Sequence, residues 1–153
     1  MQTDALEFQE IVFGTEDYQK AVSVRDSVLR KPLGLQYTAE QLQTEGDSRH
    51  LVCRLGSEIV GTVILKPESP KVVRMRQFAV KEEHQRKGVG RFLAIKSEDL
   101  AKQEGFEEIL LHARESVLPF YEKLGYQAEG ERFTEVTLPH LKMRKKEMPL
   151  EHG

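Results

Sequence analysis

Val72-Val73-Arg74-Met75-Arg76-Gln77-Phe78-Ala79-Val80 runs into Lys81-Glu82-Glu83-His84 and then into Gln85-Arg86-Lys87-Gly88-Val89-Gly90-Arg91-Phe92-Leu93. The first nine residues alternate and are β-branched, which predicts a strand. Val89, Phe92, Leu93 and Leu100 fall at helical spacing. Between strand and helix lies a turn with two glycines, Gly88 and Gly90, and three cations, Arg86, Lys87 and Arg91. A helix that starts at such a turn has free backbone N–H groups and the positive end of its dipole at its N-terminus, which together attract an anion. Glycines without a Cβ let a phosphate approach the backbone, and the three cations add charge around it.

Two phosphate motifs fail on this stretch. A Walker A loop ends in Gly-Lys-Ser/Thr, whereas here Lys87 precedes Gly88 and no hydroxyl follows. A dinucleotide fingerprint needs a third glycine where this chain has Leu93. What remains is Gln-x-x-Gly-x-Gly after a strand and at the opening of a helix. Its plain alternative is an ordinary strand–helix turn with a solvated basic rim.

The chain has 153 residues, 39% of them hydrophobic and 31% charged. These values predict one soluble globular domain spanning residues 1–153, with enough chain for a core. Twenty-three Lys and Arg against 25 acids give a net charge of −2, so no global basic field points to nucleic acid or to an anionic membrane. The run Lys142, Arg144, Lys145, Lys146 reads as a solvated tail. Cys53 is the only cysteine; no intramolecular disulfide can form, and a thiol in Leu51-Val52-Cys53-Arg54-Leu55 is expected to be buried. Met1-Gln2-Thr3-Asp4 opens no signal-like apolar region and no stretch has the length of a membrane span. A cytoplasmic location is the expectation.

Taken in order, Phe8 to Phe13 predicts a first strand. Gly14-Thr15-Glu16-Asp17 starts a helix that runs from Asp17 to about Arg30 and is broken by Lys31-Pro32-Leu33-Gly34. Thr38-Ala39-Glu40-Gln41 fits a capping box for a short second helix ending near Gly46. His50 to Leu55 and Glu58 to Leu65, joined by Gly56-Ser57, read as a hairpin. After the central strand comes a helix to about Gln103, stopped by Gly105. Glu108 to Ala113 is apolar enough for a strand covered on both faces. The strand–helix–strand crossover makes it parallel to the central strand. Ser116 is placed to cap a helix from Val117 to Leu124, and two short strands follow, near Tyr126 to Phe133 and Pro139 to Lys145. The sum is a mixed α/β sheet with helices packed on it.

A second constellation carries separate weight: Phe120-Tyr121-Glu122-Lys123-Leu124-Gly125-Tyr126. With Gln85, Gly88 and Gly90 it resembles the GNAT superfamily of acyl-CoA-dependent N-acetyltransferases. That family has Gln/Arg-x-x-Gly-x-Gly/Ala at its pyrophosphate turn and commonly Phe-Tyr-Glu-Lys-x-Gly-Phe/Tyr on the helix after its fifth strand. The ending Phe133, Glu135, Pro139-His140, Met143 looks like one branch of small bacterial members. The likeness covers roughly Leu51 through Lys145. It implies a mainly antiparallel sheet whose central parallel pair splays at the cofactor cleft, with helices on both faces.

The resemblance implies acetyl-CoA as cosubstrate and no metal. Phe78, Ala79 and Val80 would pair with the pantetheine arm through their backbone. Gln85, Arg86, Lys87, Gly88, Val89, Gly90 and Arg91 would hold the pyrophosphate, mostly through amides, and Arg114 and Phe120 would complete the cofactor site. Arg114 departs from the family, which often has Asn there. Tyr121 is placed as donor to the leaving CoA sulfur. With ordinary pKa values near 10 for phenol and 8.5 for thiol, full proton transfer is uphill by about 2 kcal/mol, so hydrogen bonding is the safer role. An acceptor amine with a pKa near 10.4 is only about 0.04% neutral at pH 7 and needs a base or a water chain. Glu135 and His140 are the candidates, although His140 also reads as a structural hydrogen-bonding residue. His112 reads as core, and His50, His84 and His152 have no partners in the sequence. No Cys/His/carboxylate spacing suggests a metal.

The acceptor would be a primary amine of a small molecule or peptide, its choice set by Arg25, Arg30, the Leu33–Tyr37 loop and the last strands. Neither nucleic acid nor membrane is expected as a partner, and a homodimer is left open. The competing expectations are a non-catalytic acyl-CoA-binding module and an unrelated domain for ATP or NAD.

Overall fold

A computed structural model describes residues 5–146; the N-terminal Met1-Gln2-Thr3-Asp4 reading and His152 lie outside them. The elements are β1 (Leu6–Ile11), α1 (Glu16–Arg25), α2 (Ala39–Gln43), β2 (Arg49–Leu55), β3 (Glu58–Pro67), β4 (Val72–Val80), α3 (Val89–Gln103), β5 (Glu108–Arg114), α4 (Leu118–Lys123), β6 (Gln127–Glu135) and β7 (Leu138–Lys146). The strands form one seven-stranded sheet in the order β1-β2-β3-β4-β5-β7-β6. β4 and β5 are parallel over Val72↔Glu108 to Met75↔Leu111, as the crossover predicts. The β1–β2, β2–β3, β5–β7 and β6–β7 pairs are antiparallel.

By backbone contacts the chain forms two compact units. One comprises the residues up to Lys66 with Gln77–Ser97, the other Pro67–Arg76 with the residues from Glu98 onward. β4 and α3 therefore each contribute one segment to each unit.

In the first unit, Ile11, Tyr18, Ala21, Val24, Val52, Ile59 and Ala79 make one apolar cluster. Fully burying such an aliphatic side chain contributes about 1.5–3 kcal/mol. Thr15 caps α1, its hydroxyl accepting from the Tyr18 N–H at 3.3 Å. The capping box of α2 forms in both directions, Thr38 Oγ1 accepting from Gln41 N–H and Gln41 Oε1 from Thr38 N–H. The first long helix is shorter than its apolar spacing suggests. It ends at Arg25, widens into a π-helical turn over Asp26–Arg30 and tightens into a 3-10 turn over Lys31–Leu33. Ser27 Oγ donates back to the Val24 carbonyl and Pro32 has no N–H to donate, so the regular ladder cannot continue. Cys53 is fully buried, and burial pushes its thiol up to about 12. Gly61 faces it: a Cβ there would lie 3.0 Å from Cys53 Sγ and 3.3 Å from Leu93 Cδ2.

In the second unit, β5 is buried through Ile109, Leu110 and Leu111. α4 starts at Leu118, after a 3-10 turn at Glu115–Val117, and has no side-chain cap. Ser116 is not the cap because Pro119, which fits only a first helical turn, fixes the start beyond it. Nor is the basic run a tail. Lys142, Arg144, Lys145 and Lys146 belong to β7, where Arg144 donates to Glu129 and Glu108 and Lys145 to Glu98. Acids on the neighbouring elements make that strand electrostatically acceptable.

Candidate active site

The glycine turn lies in the first unit. After β4 a 3-10 turn at Glu82–His84 leads to Gln85 in extended conformation. Arg86 (φ +64°) and Gly88 (φ +86°) are left-handed, and α3 begins at Val89. The first backbone bond closing the helix runs from Phe92 N–H to Gly88 C=O at 3.0 Å. Val89, Gly90 and Arg91 thus present N–H groups that no residue of the helix can accept. Open space lies beside Gly88, with nothing within 4 Å of where a Cβ would stand. Gln85, expected at the pyrophosphate, donates its side-chain N–H to the Val80 carbonyl at 2.9 Å. It ties the turn to the strand end and so fixes where the amides point. The turn and the start of α3 fit a diphosphate: helix-start amides, a helix dipole, open space, and three cations, Arg86 and Lys87 in the turn and Arg91 in the first helical turn.

Upstream, Gln77 has φ +56° in mid-strand, a left-handed kink on a residue with a side chain. Tyr37 donates its hydroxyl to Gln77 Oε1 at 2.6 Å, bracing the kink. Phe78, Ala79 and Val80 follow directly. Arg25 and Arg30 both stack on the Tyr37 ring, at 4.7 and 4.3 Å from its centre. Arg25 is not a free acceptor-binding group, because its Nη2 donates to both oxygens of buried Glu45, at 2.7 and 2.6 Å. Tyr18 donates to the same carboxylate at 2.7 Å, and His50 Nε2 donates to the Glu45 carbonyl at 2.8 Å. His50, isolated in the sequence, therefore belongs to a buried polar knot. Burial lowers its pKa.

The second unit carries the candidate catalytic side chains. Tyr121 on α4 is buried, and desolvation raises its pKa well beyond the phenol value. That makes proton donation harder and leaves hydrogen-bond donation intact. Its ring meets Phe120 and Tyr126 edge-on at 5.0 and 5.8 Å. Arg114 closes β5 opposite His140. His140 is buried; its Nδ1 donates to the Leu138 carbonyl at 2.9 Å and its ring stacks on Phe133. Glu135 ends β6, just before a two-residue turn in which Val136 (φ +50°) and Thr137 (φ +64°) are both left-handed, a conformation β-branched residues resist.

His112 is not a core residue. It is half-buried, with Nδ1 at 2.8 Å from Arg74 Nη2 and also 2.8 Å from Glu135 Oε1, and its ring packs edge-on to Phe133. Arg74 is held below the ordinary guanidinium value by burial and by Arg76, against the pull of Glu135 and Glu68. Its Nε is buried without an acceptor. Sequence reasoning passed over His112 and Arg74 because His112 sits in an apolar run. The register that sets Arg74 beside Leu110, and so on the face of His112, is legible only once β4 and β5 are paired.

A possible donor set for a metal does assemble: Glu58, Glu83 and His84 hold ligand atoms within 4.8 Å of one another. Lys81 Nζ already donates to Glu58 Oε2 at 2.7 Å, an ion pair that accounts for the carboxylate's place. Among the described residues no helix is long and apolar enough to cross a membrane.

Residues 15–147 match the model of the acetyltransferase (GNAT) domain. The chain belongs to the GNAT acetyltransferase family. An inferred acetyltransferase of Bacillus subtilis (strain 168) is 24% identical over 135 residues, 86% of this chain and 91% of that protein. The crystal structure of an inferred N-acetyltransferase from Lactobacillus plantarum superposes with a TM-score of 0.84 at 22% identity, covering 95% of this chain and all of that one. An aminoglycoside 6'-N-acetyltransferase complexed with coenzyme A gives 0.78 at 16% identity, covering 94% and 98%. At these identities the structures establish the GNAT fold. Family membership makes the chain an acyltransferase in the general sense, with acetyl-CoA as the family's usual donor.

Proposed function

We propose that this GNAT protein is an N-acetyltransferase that moves the acetyl group of acetyl-CoA to a primary amine of a small molecule or peptide by direct attack on the thioester, the whole chain serving as one domain. The observation that carries the reading is the left-handed turn at Arg86–Gly88 with the first amides of α3, which the helix's own ladder leaves without acceptors. Bound there, acetyl-CoA would supply an activated acetyl thioester. The amides of Arg86 to Arg91 would hold its pyrophosphate, and the backbone of Phe78, Ala79 and Val80 its pantetheine arm. Gln85 would act one step back, by fixing the turn. Arg114 and Phe120 are the remaining cofactor candidates.

Tyr121 would donate a hydrogen bond to the departing sulfur. Its raised pKa supports donation without transfer, since a phenol so hard to ionise stays protonated while a thiolate forms. The acceptor amine must give up a proton, and Glu135, a part-buried carboxylate, is one candidate to take it. His140, with Nδ1 engaged on the Leu138 carbonyl, is better suited to shaping that end of β7 than to taking the proton. The acceptor's general chemistry, a small-molecule or peptide amine, rests on the family.

Calorimetric titration with acetyl-CoA, CoA, ATP and NAD tests the reading. Acetyl-CoA and CoA should bind while ATP and NAD do not. A panel of polyamines, amino acids, N-terminal peptides and aminoglycosides should then yield CoA release with at least one amine. Equal affinity for ATP would overturn the cofactor assignment, and binding without turnover on any amine would favour a non-catalytic acyl-CoA-binding module.

A further inference from the structure

We propose that His112 is the group that takes the proton from the acceptor amine, with Glu135 switching it on and Arg74 holding it off. The proposal rests on the N-acetyltransferase reading above and gives the proton to His112 where that reading offers Glu135. It starts from a conflict at one atom. Nδ1 of His112 lies 2.8 Å from a guanidinium nitrogen of Arg74 and 2.8 Å from a carboxylate oxygen of Glu135. A guanidinium only donates and a carboxylate only accepts. Nδ1 satisfies Arg74 when it carries a lone pair and Glu135 when it carries a hydrogen. It cannot do both.

The two resolutions have opposite chemistry at the other ring nitrogen. With Arg74 donating into Nδ1, the neutral ring carries its hydrogen on Nε2, which then accepts nothing. With Nδ1–H donating to Glu135, Nε2 keeps its lone pair. Among the described residues no hydrogen-bond partner occupies Nε2, and it is not among the buried unsatisfied atoms. In this second state the ring is set up as a histidine base backed by a carboxylate. The proton balance is simple. R–NH3+ gives one proton to Nε2, leaving R–NH2 with its lone pair. The imidazolium so formed keeps Nδ1–H on Glu135, whose negative charge stabilises it. Arg74, a cation at the same atom, opposes that form.

The charged surroundings agree. β4 contributes Arg74, with Arg76 and Glu68 acting on it. β6 contributes Glu135, and β7 sets Lys142 directly across from His112. Phe133 bridges this group to His140, its ring edge-on to His112 and stacked on the His140 ring. Arg74 itself is poorly matched, with a buried Nε that has no acceptor. The donor that competes for Nδ1 is thus one whose own hydrogen bonding is incomplete.

The test is the pH profile of kcat/KM with the best amine of the panel, for wild type, His112→Gln, Glu135→Gln and Arg74→Met. His112→Gln should lose roughly 100-fold or more. Arg74→Met removes a cation beside the imidazolium and should move the acid limb to higher pH. Glu135→Gln removes the anion and should move it to lower pH. A purely structural trio would not displace the limb in opposite senses. Nitrogen-15 NMR of His112 reads the same switch without turnover. Wild type should show the Nδ1–H tautomer when neutral, and the two flanking variants should shift its titration in opposite directions. His112→Gln at wild-type kcat/KM, or limbs that move together, would overturn the inference while leaving the N-acetyltransferase reading intact. If no amine turns over, that reading has failed, and NMR titrations that do not split would overturn the switch as well.

Discussion

Two regions of this protein are made from the same side chains and behave as opposites. In the first unit, Arg25, Glu45, His50 and Tyr18 form a knot in which the carboxylate receives Arg25 and Tyr18, and His50 donates to a carbonyl. In the second, Arg74, Glu135 and His112 meet at a single nitrogen that can satisfy only one of the other two. The knot is buried: Arg25 is 2% and Glu45 3% exposed. The trio is half-open. Each guanidinium leaves one buried Nε without an acceptor, so the contrast lies in the histidine and the carboxylate. Settled polar groups in a dry interior specify a fold. Contested ones within reach of solvent hold two proton arrangements close in energy, which suits chemistry.

Stability separates them most sharply. Glu45→Ala strands a buried guanidinium and should cost about 3–5 kcal/mol in chemical denaturation. Glu135→Ala, on a partly exposed carboxylate, should stay within about 1 kcal/mol of wild type. The reverse ranking would break the comparison. The tyrosines extend it. Tyr121→Phe should lower kcat about 10- to 100-fold with acetyl-CoA affinity kept. Tyr18→Phe should leave kcat alone and cost about 1 kcal/mol of stability. A Tyr121 variant with full turnover removes that hydroxyl from the mechanism.

Acidification should weaken the knot modestly. Burial holds native His50 below its unfolded pKa of about 6.5. Between those two values the unfolded chain binds more protons, so stability rises with pH there and is lost as pH falls. The denaturation midpoint should drop from about pH 7.5 to about pH 5.5, and less so in His50→Gln. The smallest effect is expected at the turn beside Glu135. Val136→Asn with Thr137→Gly puts residues that tolerate positive φ where β-branched ones now stand, and should raise stability by about 1 kcal/mol. An unchanged melting temperature would mean the turn is not strained.

What the sequence disclosed follows the same division. The glycine turn is made of backbone, and backbone sites announce themselves through glycines, a strand before and a helix after. β4 lies at Val72–Val80, α3 ends at Gln103, and the capping box at Thr38 forms. Features made by register were hidden. His112 in an apolar run looks like core until β4 is laid beside β5, and Arg144 looks like a tail residue until Glu129 and Glu108 are set around it. The left-handed Gln77 and the Val136-Thr137 turn carry no glycine to announce them. The sheet around them holds these conformations against local preference, so only the assembled fold reveals them.

The single thiol has a practical consequence. Cys53 is sealed beneath Gly61, with its pKa pushed up to about 12. At pH 8 roughly one molecule in ten thousand carries the reactive thiolate. A disulfide dye that counts released CoA therefore sees almost no background from the folded protein. The same dye, left overnight without substrate, becomes a clock for opening of the core around Cys53, since the chain has one thiol to report and the folded state buries it.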